Sequence, residues 1–255
     1  MTGKSDKASQ MTALPTIHPQ AILSCAVSVQ ALVFETGLPE FPYSTAGTGF
    51  LVLYEGRGFV ITALHLLRPD DLRPLWIFPT DTSHRHVPLG KVFFIPKQQF
   101  DEDFTDFAVI DIERERLDSE TGEGTAIDLS LAGGDWQAAR DSSTFFVIGY
   151  PLEHSAVDYE GETIATQRFA LQGRYAGPAA SRFLHEIEVQ DHLGLSDFRG
   201  LSGSPVFSWV EDEPAKGRIA LCGMAVQGTV GSMRVRFIEW EVIAEAIKQK
   251  IKLGP

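Results

Sequence analysis

Short apolar runs separated by Gly, Pro and Asp clusters recur along most of the chain, and clear helical periodicity appears only at its end. The apolar stretch from Ala21 to Phe34 predicts a first strand over 22–35, and β-rich runs bounded by turn residues predict strands near 48–54, 57–63, 74–78, 87–96 and 106–112. Residues 113–143 are charged and spotted with Gly, Ser and Asp, which marks a crossing between two units. A second series follows near 144–149, 164–174, 181–190, 204–209, 218–227 and 232–238. From Glu239 to Ile251 the spacing turns helical: Trp240, Ile243, Ile247 and Ile251 share a face, with Lys248, Gln249 and Lys250 crowding the last turn. Phe93-Phe94 and Phe145-Phe146 read as core, with one residue of each pair facing out. The expectation is an all-β chain in two sets of six strands with a C-terminal α-helix. Residues 1–18 would be a disordered lead, 19–125 the first unit, and 126–255 the second unit with the helix.

Three places carry candidate chemistry. In Gly200-Leu201-Ser202-Gly203-Ser204-Pro205, glycines flank a serine, so the backbone turns tightly and the amides of Gly200 and Ser202 converge on one point. A hydroxyl beside two converging N–H donors suits acyl transfer, because the donors stabilise the tetrahedral oxyanion. Gly47-Thr48-Gly49-Phe50-Leu51-Val52-Leu53 and Gly58-Phe59-Val60-Ile61-Thr62-Ala63-Leu64-His65 read as a hairpin whose second strand runs into a histidine. Asp106-Phe107-Ala108-Val109-Ile110 opens an apolar strand with an aspartate. Singly, each has a plain reading: a solvent-facing strand-end histidine, a strand cap after Asp101-Glu102-Asp103, a turn hydroxyl. Jointly they stand in the order His, Asp, Ser, one of the three known chain orders of a hydrolytic triad.

These motifs resemble the trypsin-like (chymotrypsin-fold) serine peptidases of the bacterial single-domain type. Thr62-Ala63-Leu64-His65 is similar to that family's histidine box, Asp106-Phe107-Ala108-Val109 to its aspartate box, and Gly200 to Pro205 to its serine box. Leu221-Cys222-Gly223-Met224-Ala225-Val226-Gln227-Gly228 resembles the strand lining the substrate pocket, and Phe146-Val147-Ile148-Gly149-Tyr150-Pro151 the opening of the second barrel. The resemblance implies two six-stranded antiparallel β-barrels with a C-terminal helix. It implies Ser202 as nucleophile, His65 as general base and acid, Asp106 as the orienting carboxylate, and the Gly200 and Ser202 amides as oxyanion hole. Ser196, six residues before the nucleophile, would lie at the base of the specificity pocket with Asp197 beside it. Ala225 stands where glutamine-selective viral relatives carry histidine, and Val226, Gln227 and Gly228 would form the edge that pairs with an extended peptide. Leu201 departs from the pattern, since members activated by cleavage carry an acid there that pairs with a new N-terminal amine. Loop ordering, an activating partner protein or assembly would then be the means of regulation.

Composition narrows the setting. A length of 255 residues suits one two-barrel unit without an added peptide-binding domain, and 44% hydrophobic content with 23 Gly and 14 Pro fits a turn-rich β protein. A net charge of −12 argues against nucleic acid as a partner and mildly favours a protein or peptide substrate that is basic or neutral. Only Cys25 and Cys222 occur, which suggests a reducing compartment, hence a cytoplasmic location, with two buried thiols preferred over one bridge. The chain has no asparagine and so no N-glycosylation acceptor. Ile22-Leu23-Ser24-Cys25 vaguely resembles a lipoprotein box, but the required apolar core is missing before it, and no membrane span is expected. Neither cofactor nor metal is expected. His84-Arg85-His86 has metal-like spacing but reads as a surface turn, and Asp101-Glu102-Asp103 as a solvated loop. The sequence is thus read as a serine endopeptidase forming an acyl-enzyme on restricted intracellular protein targets. The alternatives are a catalytically latent module serving as a peptide-binding or assembly platform and, more weakly, an esterase.

Overall fold

The computed structural model describes residues 17, 19–67, 75–77, 87–95, 103–112, 125–129, 135–160, 163–179, 181–213 and 216–253. The apolar stretch beginning at Ala21 does not open as a strand. Pro19–Ala26 forms a helix, since a proline at the first helical position already holds the helical φ and Ala, Gln and Leu are good helix formers. Strand β1 follows as Val29–Leu38. Ile17 falls within the expected lead yet is 2% exposed and belongs to the core; residues 1–16 and 18 lie outside the described residues.

Strand β1 pairs with β2 (Phe41–Tyr54), which pairs with β3 (Arg57–Thr62). The β2–β3 turn is Glu55-Gly56, both at positive φ (49° and 77°), a two-residue geometry whose twist matches that of antiparallel neighbours. With β4 (Leu75–Ile77), β5 (Val87–Pro88), β6 (Val92–Phe94), β7 (Ala108–Ile112) and β8 (Ile127–Asp128) these form an eight-stranded sheet. Its order is β5-β4-β1-β2-β3-β7-β6, with β8 parallel to β2.

The single strand expected over 87–96 is broken. Its two pieces lie at opposite ends of the sheet, and Leu89-Gly90-Lys91 carries the chain between them. Leu89 N–H bonds Leu75 O on β4 at 3.0 Å and Gly90 N–H bonds Asp111 O on β7 at 2.8 Å, so the bend reaches the strand next to each end of the sheet. The first half is therefore a half-barrel whose circuit is completed by a bend rather than by a sixth continuous strand. Strand β8, with Leu129 N–H on Leu53 O at 2.8 Å, keeps the chain with this half beyond residue 125.

The second half comprises β9 (Thr144–Gly149), a small hairpin of β10 (Ser155–Asp158) and β11 (Thr163–Thr166), then β12 (Phe169–Pro178), β13 (Leu184–Val189), β14 (Pro205–Glu213), β15 (Lys216–Thr229) and β16 (Arg234–Glu239). Strands β12-β13-β16-β15-β14-β9 close into a barrel. The strand expected over 164–174 is divided, its first part pairing with β10 and its second entering the barrel.

Strand alternation explains the continuous apolar runs. On β9, Phe145 and Val147 point into the second barrel's core, while Phe146 and Ile148 enter a separate core shared by both halves. Phe145 and Phe146 are both fully buried, so neither faces out as expected, whereas Phe94 of the other pair is exposed. Each buried Phe contributes roughly 1.5–3 kcal/mol. Phe50, Phe59, Ile61 and Val109 bring the first half to this shared core, and Trp240, Ile243 and Ile247 of the C-terminal helix (Trp240–Lys252) cover it. Buried Lys250 on that helix reaches Asp111 Oδ2 on β7 at 2.6 Å, tying the last element to the first half.

Candidate active site

Strand β3 ends at Thr62, and a single 3-10 turn, Leu64–Leu66, follows. Leu64 N–H on Asp106 O (3.3 Å) joins this turn to the segment entering β7. Side-chain parity does the rest: Phe107 is fully buried, which turns Asp106 the other way, toward the cleft. The Asp106 carboxylate takes two bonds from one residue, His65 N–H on Oδ1 at 3.0 Å and His65 Nδ1–H on Oδ2 at 2.7 Å. This fixes both the ring's orientation and its tautomer, leaving Nε2 as the basic nitrogen. The His65 side chain is 45% exposed and the Asp106 side chain 16%.

Ser202 sits between two glycines with positive φ, Gly200 (91°) and Gly203 (86°). A Cβ on Gly203 would lie 2.0 Å from Thr48 O, and one on Gly200 2.5 Å from Tyr150 O. The carbonyls of this loop are all engaged on the side away from the cleft. Arg199 O accepts from Leu152 N–H (2.9 Å), Gly200 O from Thr48 Oγ1 (2.7 Å), and Leu201 O from Ser204 N–H (3.0 Å). In a trans peptide C=O and N–H point in opposite directions, so holding Arg199 O and Leu201 O directs Gly200 N–H and Ser202 N–H the other way. Neither amide has a hydrogen-bond partner among the described residues. Leu201 is 2% exposed in the second barrel's core. Burial of this apolar side chain anchors the loop.

Thr48 joins the halves. Its hydroxyl donates to Gly200 O and accepts from Tyr150 N–H (2.9 Å), and its own N–H bonds Ser202 O at 3.3 Å. Glu153 is a second support. It accepts from Ser196 N–H at 2.8 Å and from the Ser196 hydroxyl, and the latter bond holds its carboxyl below the usual range.

His65, Asp106 and Ser202 line one cavity of about 450 Å³, together with Leu184, Phe198, Arg199, Val226, Gln227, Gly228 and Arg236. Among the residues singled out from the sequence, Ser196 is held by Glu153, and Asp197 by the Arg199 N–H and Nε–H at 2.8 Å each. Neither contributes to this wall. Ala225 is buried, bonding Gly203 N–H and Ser204 O through its backbone. Val226 O receives the Ser202 hydroxyl at 3.1 Å, so the hydroxyl is engaged there and makes no bond to His65. Gly228 packs under Phe198, whose Cδ2 would meet a Cβ at 3.1 Å. Beyond Pro205↔Met224 strand β14 no longer pairs with β15, so residues 226–229 offer an edge to the cleft. Thr48, Glu153, Phe198 and Arg236 were not identified from sequence; the Gly-Thr-Gly motif around Thr48 was the one local hint of close backbone approach. His84, Arg85, His86, Asp101 and Glu102 lie outside the described residues. Cys25 and Cys222 are free buried thiols, and burial pushes Cys25 up to about 11. No helix among the described residues is long and apolar enough to cross a membrane.

No protein-family model matches the sequence, and no curated protein matches it. Among solved structures it resembles the crystal structure of a thermostable serine protease from an extremophilic microorganism. The TM-score is 0.57 at 14% identity, over 88% of this chain and 96% of that one. The fold is that of the chymotrypsin-like serine proteases.

Proposed function

We propose that the chain is a serine endopeptidase that hydrolyses peptide bonds through an acyl-enzyme. The observation that carries this reading is the pair of unpartnered amides, Gly200 and Ser202, fixed by their carbonyls beside a histidine held by two bonds to one aspartate. Ser202 Oγ attacks the substrate carbonyl as Nε2 of His65 takes its proton. The carbonyl oxygen becomes an oxyanion between the two amides, each of which is worth about 10²–10³ in rate. His65 then passes the proton to the leaving amine, Asp106 stabilising the imidazolium meanwhile, and water repeats the sequence to release the acid. The unpaired edge at 226–229 favours an extended peptide as substrate over a small ester. Restricted protein targets in the cytoplasm and control by a partner are part of the same proposal, motivated by the scarcity of cysteine and by the buried leucine, rather than an acid, that precedes Ser202.

A fluorophosphonate probe tests the reading directly. Wild-type protein should form the adduct, and Ser202→Ala and His65→Ala should lose it, His65→Ala slowing labelling by about 10⁴-fold or more. One observation favours a second reading. The Ser202 hydroxyl donates to Val226 O and not to His65, as a latent peptide-binding or assembly platform would allow. A folded wild type that fails to label would favour that platform.

A further inference from the structure

An uneven charge cluster reaches the cavity through Arg236. Glu186 on β13 accepts from Arg234 Nη1 at 2.7 Å and Arg236 Nε at 2.8 Å, both on β16. The carboxylate is the recessed member: the Glu186 side chain is 15% exposed, and those of Arg234 and Arg236 are 44% and 45%. One carboxylate thus sits behind two guanidiniums, and the excess positive charge faces outward. Bonds from Arg236 and Arg234 hold the Glu186 carboxyl below the usual range.

Arg236 is the member of the cluster that lines the cavity. It commits Nε to Glu186 and Nη1 to Gln227 Oε1 (3.2 Å), while Nη2 has no partner among the described residues. A guanidinium anchored on one side presents preorganised donors on the other, matched to a carboxylate. Gln227 and Arg236 both line the cavity and their side chains meet, and the edge of β15 where a substrate backbone would add runs past Gln227, so Arg236 borders the path of a bound peptide from the β16 side. Across the cavity, Arg199 is neutralised by Asp197. Asp106, the acid in the described wall, is engaged by His65. A basic substrate side chain would find no unengaged carboxylate there.

We propose that the cleft selects peptides bearing an acidic side chain N-terminal to the scissile bond, and that Arg236 is the residue that reads it. This rests on the peptidase reading and replaces the basic or neutral substrate suggested by net charge. The −12 of the chain acts over distances that salt screens within about 8 Å, whereas Arg236 acts at contact.

The test is a positional-scanning set of fluorogenic peptides applied to wild type, Arg236→Gln and Arg236→Glu. Wild type should prefer Glu or Asp over Gln at one N-terminal position by about ten-fold in kcat/KM, the scale of a charge-assisted hydrogen bond. Arg236→Gln should flatten that position and Arg236→Glu should turn it toward Lys or Arg. A flat or basic-preferring wild-type profile in a protein that labels with fluorophosphonate overturns this proposal and leaves the peptidase reading intact. If wild type does not label, calorimetry with matched Glu and Gln peptides on the same protein decides: tighter Glu binding supports the assignment, equal binding overturns it. Where the variants fail to fold, salt decides on wild type, because a charge-based preference shrinks with ionic strength and an unchanged one overturns the assignment.

Discussion

Gly203 has no room for a side chain. Its φ of 86° is strained for any other residue, and a Cβ would lie 2.0 Å from Thr48 O and 2.6 Å from Thr62 Oγ1. Gly203→Ala should destabilise by on the order of 3 kcal/mol and abolish fluorophosphonate labelling. A urea midpoint equal to wild type would show that the two halves do not approach as closely as described. The serine box was legible in sequence because this constraint is local: a tight turn around a hydroxyl demands glycine on both sides. His65 and Asp106 were legible for a similar reason, each set at the end of an apolar strand. Thr48, Glu153 and Arg236 were not, since their partners are far away in sequence and nothing in the local pattern announces a contact. Ser196 and Asp197 were assigned by spacing to the serine, which counts positions but does not show which way a loop side chain turns.

At the scale of elements, the short turn Leu152–His154 supports the loop that carries Ser202. Leu152 N–H fixes the Arg199–Gly200 peptide and Glu153 fixes Ser196. Glu153→Ala should lower kcat about ten-fold with KM and thermal midpoint nearly unchanged, as loss of alignment at an oxyanion donor would. Glu153→Gln keeps an acceptor for Ser196 N–H and should recover most of the rate. Equal activity in all three forms would show that the turn does not position the loop. The sign with pH follows from the lowered carboxyl: the contact is intact at neutral pH and is lost as pH falls through the folded-state value. Two elements were misread from sequence. Pro19–Ala26 is apolar enough to pass for a strand, and its period was ambiguous over so short a run. The 87–96 segment has strand composition throughout, but its bend at Gly90 is imposed by β4 and β7, to which it pairs on either side.

In the whole molecule, the site belongs to neither half alone. His65 and Asp106 come from the first and Ser202 from the second, Thr48 bonds across, and the shared core lies beneath. Loss of labelling competence and loss of tryptophan burial should therefore follow one urea transition. Labelling lost well before the fluorescence change would mean that the halves separate first. The division into two β units with a closing helix was legible because turn clusters and the charged crossing punctuate the chain; the half-barrel and the shared core were not, because strand pattern records burial but not the partner. The bond from the Ser202 hydroxyl to Val226 O has a consequence at this scale. The acceptor sits on the same strand edge that an incoming peptide would occupy, so an arriving backbone N–H competes for that carbonyl and can displace the hydroxyl toward His65. The bond would then act as an interlock: the Ser202 hydroxyl would stay held on Val226 O until a ligand extended enough to lie along the edge released it.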